Sequence, residues 1–418
     1  MHHFQYKNGE MLCEEIPVSR IAEAVGTPFY LYSHATIVRH YQAFNDAFEG
    51  IDRMICYSAK ANTSLAVLKT LCNQGAGLDI VSGGELFRGI QAGFNPEMIV
   101  YSGVGKRIDE IDYALNTGIL MFNIESREEL EVIQSRAQTL GKQATISIRV
   151  NPDVDPKTHP HISTGLKKNK FGIDIQNAVE AYRAASQMEH VCVAGIDCHI
   201  GSQITHVRPF EDAMKSLLEL IDRIQEMGMD IRYLDMGGGL GITYDTETPP
   251  HPTEYADAIS RVLGDRKIRL IFEPGRVIVG NAGILVTRVL YRKYGSVKEF
   301  VITDAGMNDL MRPILYDAFH DIKPVVQTDD APAIVADVVG PICESGDFLA
   351  QGRKMPDIRR GDLLAVMSAG AYGFAMSSNY CSRLRAAEVM VSGNEYAVIR
   401  QREKLSDLID GESVPPFV

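Results

Sequence analysis

The stretch IRYLDMGGGLGI, residues 231–242, runs an apolar strand-like segment directly into three consecutive glycines, and IRLIFEPGR, residues 268–276, ends in a similar polar, glycine-containing turn. Six further apolar runs precede them, separated by helix-like periodic stretches. This alternation is typical of a parallel sheet built from βα units. The eight predicted strands are MICYSA (54–59), LDIVS (78–82), MIVYS (98–102), ILMFNI (119–124), TISIRVN (145–151), VAGIDCHI (193–200), IRYLDM (231–236) and IRLIFE (268–273).

The helices between these strands carry their own start and stop signals. Ser126 with Glu129 predicts a capping box, and Gly141 supplies a left-handed residue at the helix end. Eight alternations over roughly 230 residues match the size of a (β/α)8 TIM-like barrel, whose active site lies at the C-terminal ends of its strands. An open, doubly wound sheet is the alternative.

The final third of the chain changes pattern, because its strand-like runs have no long helices between them. We therefore predict a C-terminal, mainly antiparallel β domain. The N-terminal segment, with YLYS at 30–33, is expected to join it. The predicted domains are residues 35–280 for the barrel and residues 1–34 with 281–418 for the β domain.

The composition narrows the function classes. The 418 residues include 42 Lys and Arg against 54 Asp and Glu, a net charge of −12, without a long basic run. This argues against an electrostatic grip on nucleic acid or an anionic membrane. Seven cysteines without a CxxC pair indicate reduced thiols, and neither a signal-peptide pattern nor a membrane-length apolar run is visible. We expect a cytoplasmic protein.

The predicted strand ends are polar and glycine-rich. Gly237, Gly238 and Gly239 follow the seventh strand, and their missing side chains would let backbone N–H groups approach an anion closely. A lone glycine triplet is more often a tight turn, but barrels often hold phosphate in the loops after their last two strands. Closure of the barrel would place Glu273, ending the eighth strand, beside Lys60, which follows the first.

An amine, a carboxylate and an anion nest at one barrel mouth suggest pyridoxal 5'-phosphate. Lys60 would form the Schiff base, Glu273 would face the pyridine nitrogen, and the glycine loops would take the phosphate. An ionised Glu273 would favour the protonated ring, which is the better electron sink. His199, ending the sixth strand, is expected against the ring face, although a lone histidine is more often a core residue. No metal site is expected, because His159 and His161 lack a further ligand at suitable spacing.

Eight motifs in order along the chain carry a family resemblance. They are YSAKAN (57–62), GLDIVSGGEL (77–86), CHIGSQ (198–203), MGGGLGI (236–242), EPGR (273–276), MRPILY (311–316), CESGD (343–347) and GAYG (370–373). Together they resemble the diaminopimelate decarboxylases, which belong to the alanine-racemase-like, or fold type III, pyridoxal phosphate enzymes. The resemblance implies a carboxy-lyase of lysine biosynthesis that converts meso-2,6-diaminopimelate to L-lysine and CO2.

The resemblance also implies roles for individual residues. The implied catalytic residues are Lys60, His199 and Cys343, with Cys343 as the proton donor. The implied cofactor-binding residues are Lys60, Asp79, His199, Ser202, Gly237, Gly238, Gly239, Glu273, Gly275, Arg276 and Tyr372. The implied substrate-binding residues are Arg276, Arg312, Tyr316, Glu344 and Tyr372. The arginines suit a distal carboxylate and Glu344 suits a distal ammonium, whereas Cys343 taken alone would more often be a small buried hydrophobe.

Family members are dimers whose sites borrow CESGD from the neighbouring subunit, so the resemblance implies a homodimer with shared active sites. It also identifies HPHISTGLKKNKFGI (159–173) with a mobile active-site lid. Decarboxylation of ornithine, arginine, carboxynorspermidine or a diaminopimelate-like metabolite stays the alternative, although Glu344 with Arg312 and Tyr316 favours diaminopimelate over the first three. A racemase, which needs opposed bases, and a non-catalytic binding relative, which could dispense with Lys60 or Cys343, are less well matched.

Overall fold

The computed structural model describes residues 2–154, 170–327 and 332–418. The chain forms two compact units, one of Val38–Ile278 and one of Met1–Ile37 with Val279–Val418. Within the described ranges, no helix is long and apolar enough to cross a membrane.

The N-terminal segment holds a small antiparallel sheet followed by a strand that joins a larger sheet. Its elements are β1 (Phe4–Lys7), β2 (Glu10–Cys13), β3 (Ile16–Pro17), α1 (Val18–Val25), β4 (Phe29–Ser33) and α2 (His34–Asp46).

Eight parallel strands close into a ring in the unit of Val38–Ile278. The eight strands are β5 (Arg53–Ser58), β6 (Gly77–Ile80), β7 (Ile99–Tyr101), β8 (Met121–Ile124), β9 (Ala144–Asn151), β11 (Val191–Asp197), β12 (Tyr233–Asp235) and β13 (Arg269–Phe272), and a ninth, β10 (Ile173–Asp174), lies outside the ring. Pairing runs β5-β6-β7-β8-β9-β11-β12-β13 and returns from β13 to β5, while the short β10 pairs only with β9. The closed ring confirms the predicted barrel and rules out the open sheet.

Helices follow the barrel strands. They are α3 (Leu65–Asn73), α4 (Gly83–Ala92), α5 (Ile108–Thr117), α6 (Arg127–Thr139), α7 (Ile175–Ser186), α8 (Arg208–Glu226), α9 (Pro252–Leu263) and α10 (Arg276–Val279). The predicted start of α6 is confirmed, because Ser126 Oγ accepts a hydrogen bond from the Glu129 N–H at 3.2 Å. Gly141 has the expected positive φ of 62°. Phe48 packs against Phe272 at 4.2 Å between ring centroids, joining the end of α2 to the barrel wall.

The β unit is built on a mixed, mainly antiparallel sheet. Its remaining elements are β14 (Gly283–Tyr294), β15 (Glu299–Thr303), α11 (Arg312–Tyr316), β16 (Ile322–Pro324), β17 (Ala333–Val339), β18 (Phe348–Pro356), β19 (Leu363–Val366), β20 (Ala387–Ser392) and β21 (Glu395–Arg400). The N-terminal β4 lies between β14 and β20, which confirms the predicted joining of the chain ends in one sheet. Two pairs, β15 with β17 and β20 with β4, are parallel.

Candidate active site

A lysine and a buried carboxylate meet at the C-terminal ends of β5 and β6. Lys60 Nζ lies 2.5 Å from Asp79 Oδ2, and the hydroxyl of Ser58 lies 2.7 Å from the same oxygen. The Asp79 side chain is fully buried, whereas about a third of the Lys60 side chain, 32%, remains exposed. The pair therefore anchors an amine that a ligand at the barrel mouth can still reach.

The glycine triplet after β12 packs closely against two neighbouring loops. A Cβ on Gly238 would overlap the carbonyl oxygen of Glu273, and Gly239 has a φ of +118° that side chains disfavour. The Gly237 N–H donates to Asp235 Oδ1 at 2.9 Å. Only glycine fits these positions, so the triplet is a requirement of packing as well as a possible anion loop.

His199 lies on this glycine loop. Its Nδ1 accepts a hydrogen bond from the Gly238 N–H at 3.1 Å, which leaves the ring proton on Nε2. Burial lowers the pKa of His199 well below its usual range, and the positive charges of Arg149 and Lys60 lower it further. The N–H groups of Gly237 and Gly238 donate to Asp235 and His199 in this structure, and the prediction that the glycine loop binds an anion stays a prediction.

Arg276 is held by side chains from two other strand-end loops. Its Nη1 donates to Tyr244 Oη at 2.7 Å and its Nη2 donates to Ser202 Oγ at 2.9 Å. The fold thus brings together Arg276 and Ser202, both of which the resemblance assigns to the cofactor. Tyr244 was not predicted, although it lies in the loop after the glycine triplet.

Glu273 directly follows β13 and lies among other buried acids. Oxygens of Asp197, Asp235 and Glu273 all lie within 4.8 Å of one another. Burial raises the pKa of Glu273 well above its usual range, and the charges of Asp235, Asp79 and Asp197 raise it further, against the opposing effect of Lys60. The clustered acids therefore favour the protonated form of Glu273, because four acids share one low-dielectric interior. An ionised Glu273 beside a protonated pyridine ring stays a prediction, since the positive ring would stabilise the carboxylate.

A polar network inside the barrel connects these acids. Ser102 Oγ lies 3.3 Å from Glu273 Oε1 and accepts a hydrogen bond from Asn123 Nδ2 at 3.0 Å. Asn123 Oδ1 in turn accepts from Ser147 Oγ at 2.5 Å. These residues were not predicted as part of the site. The sequence marks each of them only as a polar side chain within an otherwise apolar strand.

The side chains at the barrel mouth are of the types that bind pyridoxal phosphate. The mouth holds an accessible amine, a buried acid able to carry a proton, a neutral imidazole and a loop into which side chains cannot intrude. Asp79 Oδ1, which is buried and has no hydrogen-bond partner among the described residues, adds an unsatisfied acceptor beside the amine. Asp197, Asp235 and Glu273 are all buried, and their carboxylate oxygens lie close enough together to hold a metal ion.

The β unit carries four of the five predicted substrate-binding residues, all but Arg276, on two loops and one short helix. Arg312 begins α11, where it is 5% exposed, and Tyr316 ends the same helix half-buried. Tyr372 follows β19 with a positive φ of 56°, in a loop that also holds Gly370 and Gly373.

Cys343 and Glu344 are exposed on the loop between β17 and β18. Tyr380 Oη donates to Glu344 Oε2 at 2.7 Å. The buried carboxylate of Asp347 clamps this loop, because it accepts the Ile342 N–H at 2.6 Å and the Met307 N–H at 2.7 Å. The exposed position of Cys343 contrasts with the buried hydrophobe that its residue type alone would suggest.

Most of the predicted lid, residues 159–173, lies outside the described residues, as do His159 and His161. The described end of the segment is attached to the barrel. The Gly172 N–H donates to Glu125 Oε2 at 2.8 Å, and Glu125 Oε1 pairs with Arg149 Nη1 at 2.7 Å.

Known proteins resemble this chain over its whole length. The family model for the pyridoxal binding domain of pyridoxal-dependent decarboxylases matches residues 34–280. The diaminopimelate decarboxylase of Pseudomonas aeruginosa is 52% identical over 416 residues, covering 100% of both chains. The crystal structure of diaminopimelate decarboxylase from Helicobacter pylori complexed with L-lysine is 41% identical, with a TM-score of 0.91 over 94% of this chain and 98% of that one. The enzyme from M. jannaschii in co-complex with L-lysine is 38% identical, with a TM-score of 0.94 over 99% and 98%.

Proposed function

The chain belongs to the diaminopimelate decarboxylases of the pyridoxal-dependent decarboxylase family, and from that membership we propose the roles of its own residues in the reaction. The enzyme is a pyridoxal phosphate-dependent carboxy-lyase of lysine biosynthesis that forms L-lysine from meso-diaminopimelate. The single observation that carries the assignment of roles is the meeting of Lys60, Asp79, His199 and Glu273 at one end of the barrel.

Pyridoxal phosphate, when bound, supplies the electron sink that stabilises the carbanion left by loss of CO2. Lys60 would hold it covalently through Nζ, and His199 would lie against its ring. Gly237, Gly238, Gly239, Gly275, Ser202 and Arg276 would line its phosphate end, with Tyr372 also in contact.

Asp79 and Glu273 have separate tasks in this proposal. Asp79 orients the Lys60 amine through the 2.5 Å ion pair, and Ser58 fixes the Asp79 carboxylate. Glu273 would lie beside the pyridine nitrogen, where its carboxyl group, whose pKa is raised by burial, can share a proton with that nitrogen. A neutral His199 adds no positive charge that would disfavour a proton on the pyridine nitrogen.

We propose that Arg276, Arg312 and Tyr316 hold the distal carboxylate of the substrate and that Glu344 receives its distal ammonium. A guanidinium binds a carboxylate through two hydrogen bonds, so the arginines select a substrate that carries an amino acid group at each end. Ornithine has no distal carboxylate and would leave a buried arginine without an anion. This argument supports diaminopimelate over ornithine or arginine.

Cys343 is the proposed proton donor to Cα, and the clamp made by Asp347 would hold it in place. We further propose a homodimer in which Cys343 and Glu344 of one subunit complete the site around Lys60 of the other. Mixing inactive Lys60→Ala and Cys343→Ala variants should restore part of the activity. Absence of rescue despite proven subunit exchange would favour self-contained subunits.

The remaining proposals concern organisation and location. We propose residues 35–280 as the cofactor-binding domain and residues 1–34 with 281–418 as the β domain that contributes to the active site and the dimer interface. A cytoplasmic location is supported by the seven cysteines, all of which are free thiols.

The direct test measures substrate preference. The purified enzyme with pyridoxal phosphate is incubated separately with meso-diaminopimelate, ornithine and arginine, and CO2 and amine products are quantified. We expect equal amounts of CO2 and L-lysine from diaminopimelate, and little turnover of the other two. Faster CO2 release from ornithine would overturn the proposed roles of Arg312 and Glu344.

A further inference from the structure

A buried histidine in the β unit contacts the proposed substrate arginine. His320 is 0% exposed, and its Nε2 lies 2.7 Å from Arg312 Nη1. On the other side of the ring, His320 Nδ1 lies 2.8 Å from the carbonyl oxygen of Met367. The imidazole therefore bridges the guanidinium and a main-chain carbonyl.

These two partners fix the protonation of the ring. A carbonyl oxygen can only accept, so the proton must be on Nδ1 of His320. A guanidinium can only donate, so Nε2 must offer its lone pair to Arg312. Both bonds exist together only in the neutral Nδ1–H tautomer, and a proton on Nε2 would face the N–H of Arg312.

The sheet holds His320 from both sides. His320 lies two residues before β16, and Met367 directly follows β19, with which β16 pairs through Ile322 and Val366. The Met367 N–H donates to the Asp321 carbonyl at 2.8 Å. Arg353 Nη1 donates to the His320 carbonyl at 2.8 Å. The position of the imidazole is thus set by sheet register rather than by a flexible loop.

We propose that His320 is a positioning residue that fixes Arg312 for the distal carboxylate of the substrate, and so sets the preference for ligands that carry this carboxylate. The inference rests on the role of Arg312 given under the proposed function. An arginine side chain loses much rotamer freedom when it is held in one geometry. Because His320 already holds Nη1, part of that cost is met before the substrate binds.

Removal of the acceptor should therefore weaken carboxylate recognition specifically. L-Lysine retains the distal carboxylate, whereas cadaverine has the same carbon chain and amines without it. We expect His320→Leu and His320→Asn to lower the affinity for L-lysine about 10- to 30-fold. Affinity for cadaverine should stay within about twofold.

The substituted residues separate positioning from packing. His320→Gln places an acceptor oxygen near the position of Nε2 and should recover most of the L-lysine affinity. His320→Asn keeps a donor for Met367 but cannot reach Arg312. His190 provides a matched control, because its Nδ1 also lies on a main-chain carbonyl, that of Lys142 at 3.0 Å, and His190→Leu should leave both affinities unchanged.

The experiment uses the enzyme loaded with pyridoxal phosphate and measures inhibition constants for L-lysine and cadaverine, together with KM and kcat for meso-diaminopimelate. The expected result for His320→Leu and His320→Asn is a raised KM with kcat changed less than about threefold. Equal loss of both ligands, or a loss in His320→Gln as large as in His320→Asn, would overturn the inference. If His320→Leu fails to fold, the comparison of Gln with Asn decides.

Arg312→Ala separates this inference from the proposed function. A loss of discrimination between L-lysine and cadaverine in Arg312→Ala, without a loss in the His320 variants, would overturn only the role of His320. Unchanged discrimination in Arg312→Ala would overturn the proposed role of Arg312 itself.

Discussion

Substitution of Gly238 by alanine tests the close packing of the site. A Cβ at this position would overlap the carbonyl oxygen of Glu273, whereas ordinary contacts begin at 3.4 Å. One of the two loops must therefore move by roughly 1 Å, a displacement that can lower activity about 100-fold. Neither loop moves easily, because the Glu273 N–H donates to Gly237 at 2.8 Å and the Glu273 carbonyl oxygen lies 2.9 Å from Ser58 Oγ.

We expect Gly238→Ala to lower kcat/KM for meso-diaminopimelate about 100-fold. Overpacking should also lower the free energy of unfolding by about 1–3 kcal/mol. Steady-state kinetics and urea unfolding measure these two quantities. Gly105→Ala is the control, since a Cβ there meets nothing within 4 Å. A Gly238→Ala enzyme as active as Gly105→Ala would refute the packing argument.

Three further outcomes follow from the acids and the loop clamp. Glu273→Gln cannot exchange a proton, so it should lower kcat at least about 100-fold while the cofactor still binds. Steady-state kinetics measure kcat and the visible spectrum shows the bound cofactor; near-normal kcat would contradict the proposed role. Asp347→Asn replaces one acceptor oxygen by an NH2 group that faces an N–H, so the free energy of unfolding should fall by about 1–3 kcal/mol. The variant should lose more in kcat than in cofactor affinity, and a change in cofactor affinity alone would count against the clamp. Burial raises the pKa of Asp235 to about 6, so the folded cofactor-free protein retains a proton that the unfolded chain releases above about pH 4. Proton retention at Asp235 should therefore contribute a fall in stability between pH 4 and 6 of up to about 1.4 kcal/mol per pH unit, and Asp235→Asn should reduce the slope measured by urea unfolding; an unchanged slope would speak against proton retention at Asp235.

The barrel could be predicted because its strands are apolar runs punctuated by capped helices. All eight predicted strands overlap observed ones, and closure of β13 onto β5 follows from their number. The two-residue β10 has no readable period, and the parallel pairing of β15 with β17 is decided by tertiary packing. Such features lie beyond single-sequence periodicity.

Parts of the site could be predicted where charged side chains lie at the ends of strands. Lys60 and Glu273 could be assigned because barrel closure makes their strands neighbours. Asn123 and Asp235 were missed because a polar residue in a short apolar strand has no partner that sequence alone reveals. The role of His320 could not be predicted, because its contact with Met367, 47 residues away, depends on the register of β16 and β19.

The most direct test of the proposed active site determines which side chain binds the cofactor covalently. The enzyme is loaded with pyridoxal phosphate and treated with borohydride, which makes the bond between cofactor and lysine permanent, and digested peptides are analysed by mass spectrometry. We expect a single labelled lysine, Lys60, with labelling lost on prior addition of meso-diaminopimelate. Labelling of another lysine, with Lys60 unmodified, would contradict it.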